Sequence, residues 1–386
     1  MEAGGNANAI TPERMFVEAN KILAPYTLRY TYCDWWTIYR VGQRVSNHYT
    51  LYERVFLAGD AVHSHTPKGG QGMNVSIQDA FNLGWKLGGV LKGQLTRSIL
   101  KTYEAERRPV AQQLIALDRT MSRLLSGKPD LEELDRVYGQ ARRFLSGVYV
   151  RYPPSSLVAG VASERQQDWQ LPNSSHEANV LAKAYLAMNV TLGERFPSHQ
   201  VLLQSDACRW ETQDLLKSDG YWRLIVFGGD VSNKTQLNRV NTLGEDLAVS
   251  SNEVLSNYVS VNARGSSIIQ VFLLHCAPRT AQVELSDFHQ TFFPFDGRQG
   301  HDYSRVFMDL SPAPAASEVS GDAHRFYGVD PARGCLVVTR PDQVVGYIGE
   351  LEDVDGLKQY FDGFLIPKER VQSRNQHNDP TTSVEE

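Results

Sequence analysis

The sequence predicts an α/β protein in two parts, a glycine-rich α/β segment followed by a small α/β domain. Three observations carry this. A short apolar run, Arg54 to Ala58, leads into a Gly/Pro-rich loop and then into a long stretch with helical apolar spacing. Two further apolar runs, Trp222 to Phe227 and Ile268 to Leu274, have the length and bounding turns of buried strands. The region from about Pro197 to Pro367 then orders its elements as β-α-β followed by β-β-α.

Taken along the chain, the first region spans residues 1–126 and holds the densest glycine cluster. Val75 to Leu91 places Ile77, Phe81 and Trp85 at one repeating step and Leu83, Leu87 and Leu91 at the same step on a second face, which predicts a helix buried on more than one side. Helices are also predicted over Ser98 to Glu106 and over Pro109 to Leu125, the latter with proline in its first turn. Residues 127–196 are polar and helical in pattern, broken at Tyr152-Pro-Pro-Ser155, and read as a connector. Residues 197–370 form the second α/β domain. There Cys335 to Val338 and Val344 to Ile348 flank the turn sequence Arg340-Pro-Asp-Gln343, which predicts a hairpin. Leu351 to Leu365 closes the domain as an amphipathic helix, and residues 371–386 read as a disordered tail.

Composition excludes several classes. With 39 Lys plus Arg against 44 Asp plus Glu, the net charge is −5, and no dense basic run offers a nucleic-acid surface. Mean hydropathy is −0.36. The most apolar stretch, Ser267 to Ala277, is too short to span a bilayer, and the first residues lack a signal peptide's apolar core, so no membrane partner is expected. The four cysteines, Cys33, Cys208, Cys276 and Cys335, are far apart and form no CxxC or metal-type spacing. They predict reduced, mostly buried thiols in a cytoplasmic protein and no bound metal. His63 and His65 have no evident third ligand and read as structural.

The informative segment runs Val55-Phe-Leu-Ala-Gly-Asp-Ala-Val-His-Ser-His-Thr-Pro-Lys-Gly-Gly-Gln-Gly-Met-Asn74. It predicts a strand ending at Gly59, with Asp60 at the carboxyl end where α/β sheets place ligands. Gly69, Gly70 and Gly72 allow backbone to approach a planar ligand closely. A helix opening at Asn74 then turns free N–H groups and its positive dipole end toward that ligand. An acceptor beside such donors suits a molecule with sugar hydroxyls and an electron-rich ring edge.

This segment resembles the second FAD-binding motif of class A flavoprotein aromatic hydroxylases of the phenol 2-monooxygenase type. The resemblance extends through Tyr32 to Arg40, Gln43-Arg44, Gln78 to Lys86 and Tyr103 to Pro109, and on to Gly220 to Asp230 and Tyr327 to Pro331. It implies a partial FAD-dependent hydroxylase domain followed by a thioredoxin-like domain that lacks the redox CxxC and supports dimerisation. By position, Asp60 would accept from the ribityl chain of FAD and Pro67 would lie beside the isoalloxazine. The backbone of Gly70, Gln71, Gly72, Met73 and Asn74 would donate to the flavin's pyrimidine edge, with Arg44 adding positive charge nearby. The implied activity is hydroxylation of a phenolic or polyketide-type aromatic substrate with NAD(P)H and O2, in secondary metabolism or aromatic degradation. No catalytic residue is assigned.

The family begins with a Rossmann segment carrying G-x-G-x-x-G, and this sequence holds no such fingerprint. The resemblance therefore implies a chain starting midway through the family template, and a rival expectation: a non-catalytic accessory or dimerisation partner of a full-length hydroxylase. Trp35, Trp36 and Tyr39 are expected in a core, or against another chain as a homodimer or mixed oligomer. Glu106, Arg107 and Arg108 are expected to make helix-to-domain ion pairs rather than to bind a cofactor phosphate.

Overall fold

The computed structural model describes residues 10–37, 42–125, 131–161, 180–248, 255, 258, 267–297, 299–309 and 322–367. The tail expected over 371–386, and Tyr39, lie outside them.

The amino-terminal part is built on helices. Helix α1 (Pro12–Leu23) starts at Thr11, whose hydroxyl accepts from the Arg14 N–H, and it buries no residue. Helix α2 (Gly72–Leu91) and helix α3 (Lys101–Leu124) follow, joined through a short 3-10 turn at Arg97–Leu100. The run Arg54 to Ala58 is not the buried strand expected from its apolarity. Only Val55–Phe56 is extended, pairing with Thr50–Leu51, and the run stays largely at the surface. Among the described residues this sheet has only these two strands, too small a sheet to bury both faces.

Helix α2 also departs from its pattern. Its apolar positions Ile77 and Leu91 are 58% and 84% exposed, while Asp79, Asn82 and Lys86 are buried along with Val75. Of the expected apolar positions, Trp85 and Leu83 pack on apolar clusters. Spacing did not mark the most buried face, whose Asp79, Asn82 and Lys86 are paired with His63, Glu106 and Arg107. The two helices expected around Pro109 are one, since Pro109 sits inside α3. An interior proline costs roughly 3 kcal/mol. Here the buried face of Tyr103, Glu106, Arg107, Val110 and Leu114 runs unbroken past it, so packing on both sides holds the helix together.

Helix α4 (Leu131–Leu145) packs along α3 and leads to residues 150–161 and 180–196, which lie on the carboxyl-terminal domain. That domain is a seven-stranded sheet of β1 (Gln200–Leu203), β2 (Arg209–Glu211), β3 (Trp222–Gly229), β4 (Ile269–His275), β5 (Val306–Met308), β6 (Cys335–Thr339) and β7 (Val345–Gly349). The strand order is β7-β6-β3-β4-β5-β1-β2. Strand β3 is parallel to β4, and the crossover between them carries α5 (Lys234–Ala248). Strand β6 runs antiparallel to both β3 and β7. The short α6 (Asp322–Tyr327) precedes the β6–β7 hairpin and α7 (Val354–Asp362) follows it, giving the β-α-β then β-β-α order expected.

Strands β3, β6 and β7 are buried along their whole length, the mark of a sheet covered on both faces. The outer edge of β7 is covered by the stretch read as connector: Ala159, Lys183 and Gly193 donate to the carbonyls of Gly346, Ile348 and Val345. The hairpin turns at Arg340 to Gln343, where the Gln343 N–H donates to the Arg340 carbonyl and Gln343 adopts φ +68°. That turn reaches the amino-terminal helices and places the two parts in direct contact.

Candidate functional site

The site is built where the loop Gly59 to Gly70 meets the start of α2. Gly59 has φ +60°, and a Cβ there would come within 2.8 Å of Ser76 Oγ, so only glycine fits between loop and helix. Asp60 follows in a 3-10 turn (Gly59–Ala61) rather than at a strand end, with its side chain exposed. The Ser76 hydroxyl donates to Asp60 Oδ1 over a long 3.4 Å. Its carboxylate thus keeps acceptor capacity for an incoming group.

The other expected flavin-contact residues gather beside it. Pro67 lies in a second 3-10 turn (Pro67–Gly69). Gly70 takes φ +62° with open space where a Cβ would stand, and the Cβ position of Gly72 is 3.5 Å from the His65 ring. Helix α2 opens at Gly72, two residues before Asn74, with Gln71 as its uncapped N-cap residue. The first intrahelical bond there is from the Val75 N–H to the Gln71 carbonyl at 3.0 Å. The N–H groups of Gly72, Met73 and Asn74 therefore have no acceptor within the helix, and the Met73 side chain is 73% exposed. Arg44 is exposed on the two-residue strand that pairs with His63–Ser64.

A buried carboxylate holds this surface from beneath. Asp79 Oδ2 accepts from the Gly59 N–H at 3.2 Å and lies 2.9 Å from His63 Nε2, and Asp79 Oδ1 accepts from Arg107 Nε at 2.6 Å. Arg107 reaches further, to the Tyr152 hydroxyl at 3.2 Å and Gln78 Oε1 at 3.3 Å. Burial pushes the Asp79 carboxyl up, but the His63 hydrogen bond and the Arg107 charge outweigh it and hold it below the usual carboxylate range. Asp118 on α3 pins the far side of the loop. It accepts from Gln43 Nε2 at 2.7 Å, from the Thr66 N–H at 2.8 Å and from the Thr66 hydroxyl at 2.5 Å.

Two turns along α2, a second buried cluster joins the two parts. Glu106 accepts from Lys86 Nζ and Asn82 Nδ2, both at 2.7 Å, and from both terminal nitrogens of Arg340 at 2.6 and 3.0 Å. Arg340 is also forked onto Asp342, which accepts from Trp85 Nε1 at 3.1 Å. Glu106 is thus the helix-to-domain ion pair expected, and Arg107 instead closes on Asp79 within the amino-terminal part.

His63 is buried against Asp79 and His65 Nδ1 lies 2.9 Å from the Thr66 carbonyl, so both imidazoles take part in shaping the loop. Cys276 and Cys335 are buried, whereas Cys33 and Cys208 are exposed, contrary to the expectation that most are buried. Trp35, expected in a core, is 70% exposed and Trp36 is exposed as well, because the segment carrying them forms no strand.

The sequence brought forward Asp60 and the glycines but not Asp79, Ser76 or Asp118, which position them. The available signal was a lone acidic side chain within an apolar helical period, matched by Arg107 on the neighbouring helix.

These residues fit a flavin. An exposed carboxylate, an uncapped helix start and a glycine with empty space above it form a cradle for a ring edge bearing acceptors and a chain bearing hydroxyls.

Comparison with known proteins points the same way. The model of the phenol hydroxylase C-terminal dimerisation domain matches residues 150–369, and that of an FAD-binding domain matches residues 1–118. The chain is 35% identical over 367 residues to a phenol 2-monooxygenase of Aspergillus fumigatus, covering 93% of this chain and 57% of that protein. It is 36% identical over 370 residues to an FAD-dependent monooxygenase of Aspergillus thermomutatus (95% and 56% covered). It is 34% identical over 378 residues to the 3-hydroxybenzoate 4-monooxygenase of Comamonas testosteroni (92% and 55% covered). The chain spans just over half the length of these curated relatives.

Proposed function

The chain belongs to the phenol hydroxylase family of FAD-dependent aromatic hydroxylases, and from that membership we propose that it takes part in hydroxylating a phenolic or polyketide-type aromatic compound with FAD, NAD(P)H and O2. Secondary metabolism or aromatic degradation is the setting, since its relatives include a phenol 2-monooxygenase and a hydroxybenzoate monooxygenase. A bound FAD would supply hydride acceptance from NAD(P)H and activation of O2 toward an electron-rich ring.

The protein's own residues bind and polarise. The exposed Asp60 carboxylate accepts from ribityl hydroxyls. Pro67 flanks the isoalloxazine. The backbone from Gly70 through Gln71, Gly72 and Met73 to Asn74 donates to the pyrimidine edge, where the start of α2 carries roughly +0.5 of an elementary charge and favours a negative ring. The observation that carries the reading is the exposed Asp60 set beside the uncapped start of α2. Residues 150–369 supply the dimer contact, with a second copy or another hydroxylase chain as partner. The reading also puts the protein in the cytoplasm, where NAD(P)H is supplied and the exposed thiols of Cys33 and Cys208 stay reduced.

Purification with and without added FAD tests this. Yellow protein that retains flavin through gel filtration, and that couples NAD(P)H oxidation to a hydroxylated phenol, is the expected result. Protein that stays colourless in excess FAD overturns the flavin reading and favours a non-catalytic dimerisation partner.

A further inference from the structure

We infer that Asp79 is the positioning residue of the flavin site, setting the place of the Asp60 carboxylate through the backbone of Gly59. The inference rests on the flavin reading of Asp60. Its structural basis is a chain of three contacts. Asp79 accepts from the Gly59 N–H, the residue directly before Asp60, at 3.2 Å. Ser76, one turn earlier on the same helix, blocks Gly59 from the other side and donates to Asp60 Oδ1 at 3.4 Å. Helix α2 therefore grips Gly59 and Asp60 between two side chains, while the same helix begins at the backbone donors of Gly72 to Asn74. Acceptor and donors of one ligand site are fixed to a single rigid element, and Asp79 is the tie.

The chemistry of Asp79 suits that task. It is fully buried, and a buried carboxylate is tolerated only when its lone pairs are filled. Three groups fill them: the Gly59 N–H, the His63 ring and the Arg107 guanidinium. Arg107 belongs to α3 and His63 to the loop, so the carboxylate draws loop and both helices to one point. Asp79 does not face the ligand surface itself, so its effect on binding runs through Asp60.

A double-mutant cycle on the full chain separates positioning from general support. FAD affinity is measured by flavin fluorescence quenching in wild type, Asp60→Ala, Asp79→Asn and the double variant, together with the visible circular dichroism of bound flavin and the melting of flavin-free protein. Asp79→Asn keeps the shape and one acceptor oxygen but cannot serve all three donors. We expect Asp79→Asn to weaken FAD binding more than tenfold and to alter the flavin circular dichroism. In the Asp60→Ala background the same change should cost less than threefold. Equal losses in both backgrounds, or unchanged affinity in the single variant, overturn the role of Asp79 while leaving the flavin site standing. A wild-type chain that binds no FAD overturns both. If Asp79→Asn fails to melt cooperatively, Ser76→Ala and its double with Asp60→Ala, which loosen the same grip from the surface, are read by the same criterion.

Discussion

The glycine-rich loop of the amino-terminal part and the carboxyl-terminal sheet are held in place by different means, although Leu95, Ile99 and Val110 of the amino-terminal part share the sheet's apolar core. In the sheet, Leu224, Val226, Leu273, Leu336, Val338 and Ile348 are fully buried and belong to one continuous apolar core. Such cohesion is non-directional and roughly proportional to area. The separate apolar cluster by the glycine-rich loop has only Tyr49, Val62, Tyr103 and Ala111 as fully packed members among the described residues, with Val45, Phe56, Ala58 and Leu83 partly buried against them. What organises the motif is polar: Asp79 with His63 and Arg107, Asp118 with Thr66, and Glu106 with Lys86 and Arg340. The sheet can lose a methyl group and sag. The ion clusters cannot lose a partner without leaving a bare charge in the interior, so they fix geometry at the cost of tolerance.

The sharpest way to break this contrast is to remove Glu106. Glu106→Ala strands Lys86 and Arg340 without their shared counter-ion and should cost about 3–5 kcal/mol, as unfolding in urea would register. Hydrogen exchange should show the loss first in α2 and α3, with β3 and β6 still protected. Protection lost equally across both parts would contradict the division.

Next in size, Leu336→Ala in the centre of the sheet should cost roughly 2–5 kcal/mol, depending on how far the site collapses. It should lower the melting point of the sheet and leave the hydrogen bonds around Asp79 intact, as judged by unchanged flavin affinity.

Acid offers a graded version of the first test. Burial pushes Glu106 up, but Arg340 and Lys86 outweigh it and hold the folded carboxyl at about 2 against an ordinary 4.5. The unfolded chain then binds more protons in that window. The stabilisation is complete above the ordinary value, declines as pH falls below it and is gone once pH passes below about 2. Between pH 7 and pH 4 the loss is fractional, and exchange protection in α2 should decline before that in β3.

The smallest effect is expected at the exposed apolar face of α2. Ile77→Ser should change stability by no more than about 0.5 kcal/mol, since the side chain is more than half in solvent. A loss of several times that, or a change in oligomeric state by light scattering, would mean that this face is covered in solution.

The same contrast explains what could be read from the sequence. Strands β3, β4 and the β6–β7 hairpin were legible because a doubly covered sheet writes itself as uninterrupted apolar runs ended by turn residues such as Pro341 and Asp342. Helix α2 was legible as a helix but not in orientation. Periodicity ranks faces by apolarity, and its inner face carries Asp79, Asn82 and Lys86, whose partners His63, Glu106 and Arg107 come from the loop before it and the helix after it. Asp60 and the glycines stood out because loop chemistry is local. Asp79 did not, because its meaning depends on where α3 and the loop come to rest.

The turn at Arg340 to Gln343 has a consequence for how such proteins can be recombined. The carboxyl-terminal half of the ion cluster, Arg340 and Asp342, sits within a single tight hairpin, and the other half, Asn82, Lys86 and Glu106, sits on two adjoining helices. The ionic part of the joint between the two parts is therefore written as a plug of a few consecutive residues and a socket of three. A carboxyl-terminal domain exchanged from a relative should seat correctly if it brings an Arg-x-Asp turn of the same length together with the backbone at Phe364 to Ile366 that pairs with Gln94 to Thr96 and an aromatic side chain to meet Trp85. Lengthening that turn by one residue would withdraw the plug and leave the two parts joined by the pairing of Gln94 to Thr96 with Phe364 to Ile366 and by apolar packing.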